Sequence, residues 1–268
     1  MTIVAEKQSS FKNLAARLGR SWLDVSTVDE LTPMEVPRDR SEAYFIQDRM
    51  AEVIGQPVTG WKVGATSAKA REKAGIDDLI PGRTFASTTY FGTDHKLPGD
   101  RFPSVAVEAE FAFCLREDIP LRDSPWVASE LSEKVDFFPS IEIIGLRHQL
   151  PNELSERKLF MSIADNGGGV GVVYGDAFEG WKEIDLRNHH VHLQVDDNPP
   201  QENLFGEMRC EPLEALADTL NHLAGRGLGL KTGQFVTTGT TTAPPPLPVG
   251  SRLLADFGDI GSISVYLG

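Results

Sequence analysis

The sequence predicts an α+β protein: a helical N-terminal subdomain over residues 1–58, then a β-rich domain over 59–268. Three observations carry this. Apolar residues recur at helical spacing from 11 to 55. After Gly60 the pattern changes to short apolar strands separated by Gly, Pro, Asn and Asp. One further helical pattern interrupts the strands late in the chain.

The elements follow in order. "FKNLAARLGRSWLDV" spaces Phe11, Leu14, Leu18 and Trp22 three and four residues apart, as one face of a helix requires. "SEAYFIQDRMAEVIG" opens on Ser41, a suitable N-cap, and closes on Gly55, a suitable C-cap. Strands are expected at "GWKVGAT", "SVAVEAEFAFCL", "FFPSIEIIGL", "GGGVGVVYG", "HHVHLQV", "GQFVTTG" and "SISVYLG". "EPLEALADTLNHLAGRG" places Leu213, Leu216, Leu220 and Leu223 at helical spacing and stops at Gly225 or Gly227. The tract "TTTAPPPLP" lies between strand patterns and is expected as a loop at the rim of a sheet. No fixed-period repeat occurs.

Composition narrows the function. Of 268 residues, 40% are hydrophobic and 24% charged, the balance of a globular protein with a sizeable core. A net charge of −13 opposes binding to nucleic acid or to an anionic membrane surface, both of which need basic patches. An acidic substrate would need a local cation. No run of about 18 apolar residues and no signal-like N-terminus occur, so a soluble cytoplasmic protein is expected. Cys114 and Cys210 offer neither a zinc spacing nor a disulfide framework, and free thiols of a reducing compartment are expected.

The stretch "VAVEAEFAFC" (105–114) sets two glutamates into an otherwise apolar strand. Alternation puts Val107, Ala109, Phe111 and Phe113 on one face and Glu108 and Glu110 on the other, roughly 6–7 Å apart at the backbone. "PSIEIIGLR" repeats the anomaly with Glu142. A lone glutamate of this type usually faces solvent. Three from two apolar strands form an all-oxygen set that Mg2+ or Mn2+ accepts.

Four other features are weaker. Lys62 in "GWKVGATS" is an ordinary edge-strand lysine unless a metal and a dry pocket lie beside it; there, desolvation and positive neighbours would lower its pKa and make it a proton carrier. "MSIADNGGGVGVVYG" offers Asp165-Asn166 and three glycines, a turn whose backbone can approach a ligand, with Ser162 just before it. It lacks the spacing of a dinucleotide loop. "GQFVTTGTTT" offers the hydroxyls of Thr237, Thr238 and their neighbours at a strand end. His190 and His192 share a strand face, a spacing zinc can use, but no third ligand is indicated nearby. No serine elbow or paired cysteine supports nucleophilic hydrolysis.

Taken in order, "GWKVGATS", "VEAEFAF", "SIEII", "IADNGG", "GLGLKTGQFVTTG" and "LLADFGDIGSISV" resemble the fumarylacetoacetate hydrolase superfamily, and within it the 2-oxopent-4-enoate hydratase and 4-oxalocrotonate decarboxylase branch. The resemblance covers roughly residues 40–268. It implies a mixed β-sheet roll, the fumarylacetoacetate hydrolase-like C-terminal fold, preceded by a helical region. It further implies Glu108, Glu110 and Glu142 as ligands of Mg2+ or Mn2+ and Lys62 as the catalytic proton donor or acceptor. Ser162, Asp165, Asn166 and Thr238 are implied as substrate-binding residues. The partner is a small 2-oxo acid, and a homo-oligomer is the default assembly.

The expected activity is a lyase, hydratase or decarboxylase, acting on a 2-hydroxydienoic acid of ring catabolism. C–C hydrolysis of an acylpyruvate and a non-catalytic binding relative are the alternatives. Departures lie at the substrate end: Ala86, Ser87 and Thr88 stand where hydratases usually carry an acidic stretch. Gly145-Leu146-Arg147 stands for Asp-Ser-Arg, and "CEP" replaces Gly-Asn-Pro.

Overall fold

The computed structural model describes residues 5–268. Helices α1 (Ala5–Asp24) and α2 (Arg40–Ile54) pack together through Phe11, Leu14, Leu18 and Trp22, all buried. α2 begins two residues earlier than the sequence suggests. Asp39, not Ser41, is its N-cap, accepting from Glu42 N at 2.8 Å. Gly55 closes the helix in the left-handed region at φ 64°.

Twelve strands follow: β1 (Val58–Gly64), β2 (Ile80–Phe85), β3 (Thr89–Phe91), β4 (Asp94–Leu97), β5 (Val105–Leu115), β6 (Val135–Ile144), β7 (Gly169–Tyr174), β8 (His192–Val195), β9 (Phe235–Thr240), β10 (Pro246–Leu247), β11 (Arg252–Asp256) and β12 (Ser262–Leu267). Helices α3 (Ala68–Ala74), α4 (Lys158–Ala164) and α5 (Pro212–Gly225) lie between them. The larger sheet runs β2-β1-β9-β5-β6-β7-β3, with β10 paired to β5; the smaller runs β4-β12-β11-β8. Both are mixed: β1–β9, β3–β7 and β4–β12 are parallel and the other pairs antiparallel.

The alternation in β5 decides which face is core. Val107, Ala109, Phe111 and Phe113 join Leu253, Ile263 and Val265 of the smaller sheet in the main hydrophobic core. The opposite face carries Glu108 and Glu110 inside a curled sheet. Asn166 laces that curl. Its Oδ1 accepts from Arg83 N at 2.7 Å and its Nδ2 donates to Arg83 O at 2.8 Å, tying β2 to the turn before β7. The close approach requires Gly82, where a Cβ would fall 2.1 Å from Asn166 O.

The second core joins α1 and α2 to Met161, Ile163 and Ala164 of α4, so the helical pair packs onto the segment that carries the glycine turn. The sequence pattern predicts no helix over 158–164, because seven residues are too few to display a helical period. β2 was also missed, because Pro81 and Gly82 read as loop punctuation. The "TTTAPPPLP" tract lies against β5: Thr241 N donates to Ala109 O at 2.8 Å, and Pro246 pairs with Ala106.

Candidate metal centre and substrate pocket

The β5–β6 register sets Glu108 directly opposite Glu142 and Glu110 opposite Ser140. Residues opposite one another share a face, so both β5 glutamates and Glu142 point into the same compartment. One carboxylate oxygen from each of Glu108, Glu110 and Glu142 lies within 4.8 Å of the others, a set that could hold a metal ion. Among the described residues no other such group of three His, Cys, Asp or Glu occurs.

β1 brings in the counter-charge. Lys62 Nζ lies 2.9 Å from Glu142 Oε1, with side-chain exposures of 5% and 1%. The glycine run is shaped to this side chain, since a Cβ on Gly167 would meet Lys62 Cε, and one on Gly169 Lys62 Cγ, each at 3.0 Å. One lysine cannot neutralise three carboxylates. Burial pushes the Glu108 carboxyl up to about 7, with Glu142 adding to the rise and Lys62 opposing it. Burial, then Glu142 and Glu108, raises Glu110 as well. Burial pulls the Lys62 ammonium down, but the three glutamates outweigh it and hold its pKa above the ordinary value. The sequence expectation of a lowered lysine pKa assumed a positive neighbour; the surrounding carboxylates act the other way.

The donor chemistry fits a hard divalent cation. Glu110 Oε2 accepts from Gly239 N at 2.8 Å, whereas its Oε1 is buried with no hydrogen-bond partner among the described residues. Such an atom lacks compensation for its desolvation. All-oxygen coordination at three carboxylates, with room left for water or substrate, suits Mg2+ or Mn2+.

Beside the carboxylates opens a cavity of about 510 Å3, lined among others by Lys62, Glu108, Ser162, Gly167, Gly168 and Ile144. A larger open hollow of about 840 Å3 beside Asp39, Arg71 and Phe160 contains none of the acidic trio. Ser162 on α4 thus reaches the pocket. Asp165, fully buried, does not line it: Arg147 Nε donates to its Oδ1 at 2.6 Å and Arg147 N to its Oδ2 at 2.8 Å. Asn166 is likewise committed to β2.

At the C-terminal strand the hydroxyls divide. Thr238 Oγ1 donates to Phe111 O at 2.9 Å and so serves the β5–β9 pairing. Thr237 is the residue turned to the carboxylates: its buried hydroxyl stands against Glu110. Alternation could have separated these two threonines once Gly239 was known to face Glu110. Tyr174 was missed altogether; its ring is fully buried, and its hydroxyl shares the compartment with Glu110 and Glu142. The histidines form no metal cluster: His192 Nε2 is 3.0 Å from Gln194 Oε1, and His190 packs on Phe205. Cys114 and Cys210 are free.

No family model matches the chain. Curated proteins do. A 2-oxo-hept-4-ene-1,7-dioate hydratase of Escherichia coli is 28% identical over 83% of this chain and 85% of its own. A 4-oxalocrotonate decarboxylase of a Pseudomonas strain is 24% identical, covering 94% of each chain. A 2-keto-4-pentenoate hydratase of Burkholderia vietnamiensis is 25% identical over 95% of this chain and 96% of its own. Among solved structures, 4-oxalocrotonate decarboxylase from Pseudomonas putida, complexed with magnesium and adipate, superposes with a TM-score of 0.82 at 20% identity, covering 99% of this chain and 98% of that one. Fumarylpyruvate hydrolase from Pseudomonas aeruginosa, in complex with Mn2+ and pyruvate, gives 0.54 at 17% identity over 79% and 90% of the two chains. Over most of its length the chain is thus similar in sequence to hydratases and decarboxylases of 2-oxo acids, and its α+β fold is that of the 4-oxalocrotonate decarboxylase and fumarylpyruvate hydrolase structures.

Proposed function

We propose that this protein is a divalent-metal-dependent lyase acting on a 2-oxo (2-hydroxydienoic) acid, and that its reaction is hydration of a 2-oxopent-4-enoate-type substrate. The observation that carries the reading is the convergence of Glu108, Glu110 and Glu142 within 4.8 Å, in a buried compartment that also holds Lys62. Relatives named as hydratases at 28% and 25% identity, aligned over most of the chain, support it.

Glu108, Glu110 and Glu142 would hold Mg2+ or Mn2+. When bound, the ion supplies Lewis-acid polarisation of the 2-oxo group and offsets the charge of the three carboxylates. Lys62 is the proton carrier. Held as an ammonium, it gives a proton to the terminal carbon of the 2-hydroxydienoate as the 2-hydroxyl loses one, which yields the 2-oxo-3-enoate tautomer. Water then adds across the conjugated double bond, oxygen at C4 and hydrogen at C3, to form the 4-hydroxy-2-oxo acid. Ser162 and the Gly167–Gly168 turn line the same cavity and would orient the substrate. Asp165 and Asn166 act through Arg147 and β2 as positioning residues. Thr237 rather than Thr238 would serve the carboxylate end.

Decarboxylation is the second reading, favoured by the relatives named 4-oxalocrotonate decarboxylase and by the close superposition on one of them. The same electron sink accepts the pair left by departing CO2. Cytoplasmic location and assembly as a homo-oligomer belong to this reading; no described helix is long and apolar enough to cross a membrane.

A spectrophotometric panel of 2-hydroxydienoates and 4-oxalocrotonate, with and without Mg2+, tests the proposal. Magnesium-dependent bleaching of the dienol without CO2 release is expected. Release of CO2 would shift the assignment to the decarboxylase, and inertness toward the whole panel would overturn the lyase reading.

A further inference from the structure

A small internal cavity of about 10 Å3 lies behind Lys62. That is the space of a single water molecule. Trp22, Lys62, Thr84, Phe85 and Thr88 line it, and all five are buried. Glycines keep the space open. The β1–β2 register pairs Gly60 with Thr84 and Lys62 with Gly82, so Thr84 and Lys62 share a face and no side chain stands opposite either. Gly169 also lines the cavity, and a Cβ there would meet Lys62 Cγ at 3.0 Å.

The hydroxyls beside the cavity have a fixed direction. Thr89 Oγ1 donates to Phe85 O at 2.9 Å. A hydroxyl carries one proton, so Thr59 Oγ1, 2.7 Å from Thr89 Oγ1, must be the donor of that pair. Thr59 then has no proton for Thr84 Oγ1, 2.9 Å away, and Thr84 must donate to Thr59. The protons run from Thr84 to Thr59 to Thr89 to the Phe85 carbonyl. Toward the cavity, Thr84 Oγ1 is left as an acceptor only.

The other walls supply donors. Trp22 Nε1 is buried with no hydrogen-bond partner among the described residues, a costly state for an N–H. The Lys62 ammonium has three N–H groups, and Glu142 Oε1 at 2.9 Å takes one. A water in this space would meet two donors and one acceptor, enough to order it. Trp22 also borders a larger cavity of about 120 Å3 at the end of α1, which Thr84 does not line.

We propose that the small cavity holds one ordered water, accepting from Trp22 Nε1 and Lys62 Nζ and donating to Thr84 Oγ1, and that Trp22 and Thr84 thereby act as positioning residues for Lys62. The inference rests on the reading of Lys62 as proton carrier. Glu142 and the water fix two of the three ammonium N–H directions. The third turns to the larger cavity that Lys62 also lines, where the substrate would stand. Through Trp22, helix α1 takes part in the site.

Two measurements on the full chain test this. The first needs neither metal nor substrate. The chain has four tryptophans. In protein labelled with 15N-tryptophan, the Trp22 indole signal is the one that Trp22→Phe lacks. It should show a cross-peak to a bound water in wild type. Thr84→Val, which keeps the side-chain shape and removes the acceptor, should abolish that cross-peak. The second measurement is turnover of 2-hydroxypenta-2,4-dienoate with Mg2+. Thr84→Val and Trp22→Phe should each lower kcat about tenfold, the size of one hydrogen bond to an ammonium, with KM within about twofold of wild type. Thr84→Ser, which keeps an acceptor, should recover most of the loss. A wild-type protein without the cross-peak would overturn the proposal. So would a cross-peak that survives in Thr84→Val, since that water would belong to the cavity at the end of α1, and so would wild-type kcat in Thr84→Val. Should Thr84→Val not fold, the wild-type cross-peak and the kcat of Trp22→Phe decide. A protein that shows the cross-peak and is inert toward the dienoate would keep the water site and overturn the lyase reading instead.

Discussion

Lys62 Nζ stands 2.9 Å from Glu142 Oε1, in a compartment where that lysine is the sole positive side chain facing three glutamates among the described residues. The pair is under-compensated without a metal, and the energetic consequences can be measured apart from turnover.

Replacing Lys62 by Met removes that counter-charge and leaves three buried carboxylates facing one another. Breaking a buried ion pair from one side costs about 3–5 kcal/mol. Lys62→Met should therefore lower the denaturant midpoint of the metal-free protein, regain much of the loss with Mg2+, and abolish turnover under both conditions. Normal turnover in this variant would remove Lys62 from the chemistry.

Glu110→Gln acts in the opposite direction. It removes a buried charge whose Oε1 has no partner, while Gly239 N keeps an acceptor. The metal-free variant should be more stable than wild type by about 1–3 kcal/mol and should lose the thermal upshift that Mg2+ confers. Thermal melts with and without Mg2+ check both halves. A full magnesium response would take Glu110 out of the ligand set.

The lacing of the sheet gives a structural prediction. Asn166→Ala forfeits two hydrogen bonds to Arg83 and should cost about 2 kcal/mol. Gly82→Ala drives a Cβ into Asn166 O and should cost more than the helix or strand propensity of alanine would suggest. Urea titrations measure both. Gly82→Ala at wild-type stability would mean that β2 does not approach the glycine turn as described.

His148 supplies a pH dependence. It is buried, and neither ring nitrogen has a hydrogen-bond partner among the described residues. Burial holds its pKa below the ordinary value; Asp165 opposes this, and Arg147 and Lys158 add to it. The unfolded chain therefore takes up this proton more readily than the folded one. Stability should fall as pH drops below about 6.5 and through the lower folded value, with a slope of at most about 1.4 kcal/mol per pH unit for one proton. His148→Gln should flatten that part of the stability profile relative to wild type. An identical acid limb in the two proteins would show that the imidazole binds its proton equally well in the folded and unfolded states.

The three glutamates stand out in the sequence because strand alternation makes a buried carboxylate visible as an exception. Their mutual placement does not. That Glu108 opposes Glu142 depends on the register of β5 against β6, which is set by long-range pairing and not by either strand's own pattern. The two helices of the N-terminal region are likewise legible, since Phe11, Leu14, Leu18 and Trp22 mark one face over several turns. α3 and α4 escape because seven residues do not complete a pattern. β2 escapes because Gly82 serves close approach to Asn166 rather than a turn. The split between Thr237 and Thr238 turns on which strand face meets Glu110, and the commitment of Asp165 to Arg147 joins residues 18 apart through a loop whose path no local rule specifies.

The account stands on one cation among Glu108, Glu110 and Glu142. Anomalous diffraction from crystals grown with Mn2+ locates it directly. The structure predicts a single strong manganese peak within about 2.3 Å of a carboxylate oxygen from each of the three, beside Lys62 and open to the cavity that Ser162 lines. Well-diffracting crystals in millimolar Mn2+ with no peak there, or with the three side chains turned apart, would contradict it.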